Sequence, residues 1–155
     1  MASRDLKLCV KELQEKIPLI IEEYNRLFPE RELKIICTLR STEEQQRLFA
    51  IGRTTPPIGK KYWVTKIDGI RVFSKHNPTP TESLSRAVDF GVFIGGKYIT
   101  NITYYYPLLD LARKQNLISG LDFNNSGLPL ERLLKQKTFK DAPHIEVKGA
   151  YYKEK

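Results

Sequence analysis

The sequence is poor in the residues from which small proteins build covalent or metal staples: its 155 positions hold two cysteines, Cys9 and Cys37, and two histidines, His76 and His144. No Cys-x-x-Cys pair occurs, which argues against a structural zinc closed by thiolates. Cys9 stands among Leu6, Val10 and Leu13, and Cys37 follows Ile35 and Ile36. Both therefore read as small buried hydrophobes, with neither a disulfide nor a nucleophilic thiol expected. No stretch approaches the ~18 uninterrupted apolar residues of a membrane span. Met1–Val10 mixes basic and acidic residues where a signal peptide needs an apolar run, so the expected site of synthesis is the cytoplasm, without export signal. Repeats, low-complexity tracts and linkers are also missing, and the expectation is one domain over 1–155 with no separate binding domain, acting as a monomer.

What the chain does have is positive charge, a formal +8. Such an excess favours polyanionic partners: nucleic acid, bacterial wall or acidic membrane surfaces. The nearest approach to a basic block is Arg132, Lys135, Lys137 and Lys140, and elsewhere the cations alternate with Asp and Glu. That pattern fits a solvated surface better than a nucleic-acid groove.

Apolar residues at helical spacing (Leu6, Val10, Leu13, Ile17, Ile20, Tyr24, Leu27) predict a helix over 5–28, kinked or divided at Pro18. Leu33–Thr38 reads as a buried strand, and Ser41 with Glu44 forms a capping box for a helix ending near Gly52. The Pro- and Gly-rich stretch 53–80 reads as loop, with Tyr62–Lys66 and Ile70–Phe73 able to pair briefly. Alternation at Val88, Phe90 and Val92 gives a strand over 86–93, which Gly95-Gly96 turns into a second strand at 97–100. Helices follow over 105–117 and 129–135, and His144–Val147 reads as a last strand. The fold class expected is α+β: a small antiparallel sheet with flanking helices in one domain, with the functional site on the sheet.

Both histidines stand near carboxylates: His76 precedes Asp89, and His144 lies between Asp141 and Glu146. A catalytic zinc takes three protein ligands, commonly imidazole and carboxylate, plus a free position for water. Two His and one Asp meet that count, although each residue also has an ordinary role open to it: a loop histidine, a core histidine, an edge carboxylate.

Four segments in order, Arg40-Ser41-Thr42-Glu43-Glu44-Gln45, Gly52-Arg53-Thr54, Ser74-Lys75-His76-Asn77 with Ala87-Val88-Asp89, and Asp141-Ala142-Pro143-His144-Ile145-Glu146, give a more specific signal. Together they resemble the zinc peptidases of the D-alanyl-D-alanine carboxypeptidase and L-alanyl-D-glutamate endopeptidase family, to which many phage endolysins belong. The resemblance implies Zn2+ held by His76, Asp89 and His144, with Asp141 as general base and Arg40 near the substrate carbonyl. It leaves Ser74 and Glu146 as supports of the loop or of a ligand. It also implies peptidoglycan as the partner, cut most readily between L-alanine and D-glutamate, with nucleic acid excluded and action on the wall after release. D-alanyl-D-alanine carboxypeptidase activity, a non-enzymatic basic wall- or nucleic-acid-binding module, and a metal-dependent nuclease are the alternatives. The pattern departs from the family in one place: 77–86 is longer than the usual loop, and Ser85 stands where a glycine is usual. Glu82, within that loop, could replace Asp141 or touch substrate, though a solvated position is expected for it.

Overall fold

Val88, Phe90 and Val92 alternate along the central strand of a five-stranded antiparallel sheet in the computed structural model, which describes residues 2–150. Met1 and residues 151–155, the ends of the expected domain, lie outside the described residues. The strands are β1 (Glu32–Cys37), β2 (Ala87–Ile94), β3 (Lys97–Ile99), β4 (Ile118–Ser119) and β5 (His144–Glu146), in the order β1-β2-β5-β4 with β3 also on β2. Helices α1 (Lys11–Leu27), α2 (Thr42–Ala50), α3 (Leu108–Lys114) and α4 (Leu130–Lys135) complete the α+β architecture. Among the described residues no helix is long and apolar enough to cross a membrane.

One face of the sheet is the core. Leu13, Ile17, Ile20 and Tyr24 of α1 and Leu108, Leu111 and Ala112 of α3 pack with Val88, Phe90, Val92 and Ile145. Because successive strand side chains point to opposite faces, this burial sends Asp89, His144 and Glu146 to the other side. The β2–β3 connection is the tight turn expected, with Gly95 and Gly96 both at positive φ (55° and 79°), the conformation that lets a two-residue loop follow the sheet's twist.

Several expectations are corrected. The first helix starts later, at Lys11, because Cys9 bridges to Ser85 and a short 3-10 turn, Leu6–Leu8, precedes it. Pro18 does not divide α1; it lies on the exposed side of that helix. Tyr62–Lys66 and Ile70–Phe73 form no strands: Lys60–Tyr62 is a 3-10 turn, and the Asp68 carboxylate instead collects the backbone N–H groups of Ile70, Arg71 and Val72. The helix expected over 105–117 begins after Pro107 and stops before Asn116, which adopts positive φ. Ile118–Ser119, too short to carry a pattern, joins the sheet beside β5.

Candidate metal centre

Three strands bring their chemistry into one row. Asp89 pairs with His144 across β2–β5, and Cys37 pairs with Asp89 across β1–β2. Plain alternation from Leu33 and Ile35 would point Cys37 into the helical core. A register shift between Ile35 and Cys37 inserts an extra residue and re-aims the thiol toward the site face. His76 arrives from a loop fixed by its own side chains: Asn77 Oδ1 accepts from Ser74 N (2.8 Å) and Ser74 Oγ accepts from His76 N (3.2 Å).

The convergence is tight. His76 Nε2 is 3.2 Å from Asp89 Oδ2, His144 Nδ1 is 2.9 Å from Asp89 Oδ1, and the two ring nitrogens are 3.3 Å apart. Ligand atoms bound tetrahedrally to one ion at about 2.0–2.1 Å stand about 3.3 Å from one another. The remaining nitrogens are committed elsewhere. His76 Nδ1 lies 2.7 Å from the Thr38 carbonyl, and His144 Nε2 lies 2.9 Å from Glu146 Oε1. A carbonyl only accepts, and Glu146 has its other oxygen ion-paired with Lys75 Nζ at 2.6 Å, which suits it to accept from the ring. Both rings must therefore donate outward, which leaves the inward nitrogens free to offer lone pairs. Two neutral imidazoles and a carboxylate aimed at one point repel unless a cation or protons lie between them.

Charge in the cluster follows from this geometry. Burial alone would depress His76, but the Asp89 carboxylate outweighs it and pushes the imidazole up to about 10. Burial likewise opposes ionisation of His144, yet Asp89 and Glu146 raise it above the ordinary histidine value. Burial would raise Asp89, and the two imidazoles instead hold it far below the usual carboxylate range.

Asp141 joins this group without hydrogen-bonding to it. Its carboxylate and the ligating atoms of Asp89 and His144 all lie within 4.8 Å of one another, close enough to act through one water. Burial, and then the charge of Asp89, raises its pKa. The position depends on Gly120: Asp141 N donates to Gly120 O (2.8 Å) and Gly120 N to His144 O (2.7 Å), and a Cβ on Gly120 would overlap the Asp141 carbonyl. Arg40 lies with Nη2 4.0 Å from Asp89 Oδ2 and is steadied by Gln45 Oε1 at 3.0 Å. Ser74 supports the His76 loop, and Glu146 supports His144.

Three residues play parts that the sequence did not disclose. Lys75 is the 1 %-exposed partner of Glu146, but a single lysine beside His76 carried no signal in the sequence. Gln45, buried among polar neighbours, links Arg40 to Asn77 and to the Ile67 carbonyl. Cys37 Sγ touches His76 Nδ1 at 3.6 Å, so the apolar expectation is right about its burial and incomplete about its face. Cys9 is an ordinary core thiol, its pKa pushed up to about 12 by burial. Glu82 does not line the site; its carboxylate accepts from Leu84 N within the loop. Ser85, in the glycine's place, puts its hydroxyl 3.0 Å from the same Thr38 carbonyl that orients His76.

Cys37, His76, Asp89 and His144 thus form a candidate metal-binding cluster compatible with zinc. His76, Asp89 and His144 open onto a cavity of about 280 Å3, bordered by Arg40, Ser74, Asp141, Phe123 and Phe139. Comparison with models of known protein families and with curated proteins finds no match.

Proposed function

We propose that the chain is a zinc-dependent peptidase that hydrolyses peptide bonds in bacterial peptidoglycan, in the manner of phage endolysins. The observation that carries this reading is the convergence of His76 Nε2, Asp89 and His144 Nδ1, with each outward ring nitrogen tied to an acceptor. A three-residue imidazole–carboxylate set is the catalytic kind, open at a further position, whereas structural sites close with four ligands. Cys37 stays outside this set because its thiol contacts the committed Nδ1 edge of His76.

A zinc ion held there supplies Lewis acidity and water of lowered pKa. The chain's own groups do the rest. Asp141, raised in pKa and with a carboxylate that makes no hydrogen bond among the described residues, takes the proton of the attacking water and passes it to the leaving amine. Arg40, permanently charged and fixed by Gln45, offers its guanidinium to the oxyanion as it develops. The cavity adjoins two further cavities at Ile67 and Phe139, and this extended space favours an endopeptidase over an enzyme trimming a terminal residue. The net charge of +8 favours the anionic wall as partner.

Elemental analysis, a zymogram on bacterial walls and a DNA-cleavage assay, each with and without chelator, test this reading together. The expected outcome is one zinc per chain and chelator-sensitive wall lysis without nuclease activity. A metal-free protein that lyses walls equally well in chelator would overturn it.

A further inference from the structure

Three cavities meet at Ile67 and Phe139. One is lined by His76, Asp89 and His144; one flank of it, about 270 Å3, runs past Asp122, Asn124 and Gln136, and another, about 460 Å3, past Lys60, Trp63 and Lys66. Phe139 is 79 % exposed and stacks on Phe123, whose ring in turn meets His144, so an apolar floor leads from either flank to the cluster.

The flanks differ in charge. On the first, the Asp122 carboxylate is consumed internally by Arg113, Ser126 and Gly127. On the second, Lys60 and Lys66 both border the cavity, and among the described residues neither is in an ion pair. Lys60 lies over the Trp63 ring at 5.8 Å, and the guanidinium of Arg53 lies over the same ring at 3.8 Å. An apolar wall with two unneutralised cations matches a ligand that is both extended and anionic.

Resting on the peptidase reading, we infer that the Lys60–Trp63–Lys66 flank binds a free carboxylate of the peptide beside the scissile bond, and so fixes the direction in which the substrate lies across the cluster. The chemical class selected is a stem peptide with an ionised acidic residue, in preference to the same peptide with that carboxylate amidated.

The test uses the zinc-loaded chain and two synthetic stem peptides that differ only in carboxylate against carboxamide at the acidic residue. Lys60→Gln/Lys66→Gln, both substitutions at exposed positions, should raise KM for the carboxylate peptide about three- to tenfold, as two exposed ion pairs warrant, and leave kcat unchanged. KM for the amidated peptide should not move. Lys61→Gln, which removes an equal charge beside the flank without bordering it, should behave as the parent. Equal KM increases for both peptides, or an equal effect from Lys61→Gln, would overturn the inference and reduce the lysines to general attraction. Failure of the parent to cleave either peptide would instead remove the peptidase reading, and this inference with it.

Discussion

At His144 two carboxylates divide one ring: Asp89 faces Nδ1 and Glu146 faces Nε2, each at 2.9 Å. Glu146 owes its orientation to Lys75, which also donates to the Val147 carbonyl. Outer partners of this kind commonly account for about 10–100-fold in metal affinity. Glu146→Gln is therefore expected to weaken zinc binding by about that factor, measured by competition with a chromogenic chelator, and unchanged affinity would make the pair purely structural. Asp141 makes the contrasting prediction. Asp141→Asn should keep its zinc and its melting temperature while losing at least about a hundredfold in turnover; near-normal turnover in a zinc-replete variant would remove the base from this position. Cys37→Ala should retain one zinc per chain by elemental analysis, because the thiol sits against the ring edge that already donates to Thr38. Loss of the ion would place Cys37 among the ligands.

The elements set these residues in place, and some of that was legible in the sequence. Period-two alternation in β2 located both the core face and Asp89 opposite it, and the Gly95-Gly96 turn was evident from composition. Half of the Ser41–Glu44 capping box is as read, the Ser41 hydroxyl accepting from Glu44 N at 3.1 Å, while the Glu44 carboxylate pairs with Arg47 instead. The bulge that turns Cys37 toward the site left no trace in the pattern, because an inserted residue among Ile35, Ile36 and Cys37 does not change which side chains are apolar. Lys75 and Gln45 were hidden for another reason: burial of a polar residue depends on partners far away in the chain, here Glu146 and Asn77. The need for glycine at position 120 is likewise tertiary. Gly120→Ala should push the segment carrying Asp141 and His144 away from β4, lowering both melting temperature and zinc affinity. An alanine variant with parental values of both would show that this close approach is dispensable.

For the molecule as a whole, the His76–Asp89–His144 cluster links folding to pH. In metal-free protein the folded-state pKa of His76, about 10, exceeds its ordinary value of 6.5. Its protonated pairing with Asp89 therefore stabilises the fold fully below about pH 6.5, and this contribution is lost as pH rises toward 10. The Asp89 shift has the opposite sign: its contribution is present above the ordinary carboxylate range and lost on acidification. Thermal melts of chelated protein should show stability falling between pH 6.5 and 10, and a flat profile would contradict the buried pairing. Zinc binding near pH 7 must expel the imidazole protons, so calorimetry in buffers of different ionisation enthalpy should detect about one to two protons released per ion. Above all these stands the claim that the cluster cuts the peptide part of the wall. Mass spectrometry of muropeptides from purified sacculi, digested by the zinc-loaded chain with and without chelator, tests it most directly. Stem peptides severed at one bond, most readily between L-alanine and D-glutamate, and left intact in chelator are the predicted result; stems intact in both digests, or glycan cleavage alone, would contradict it.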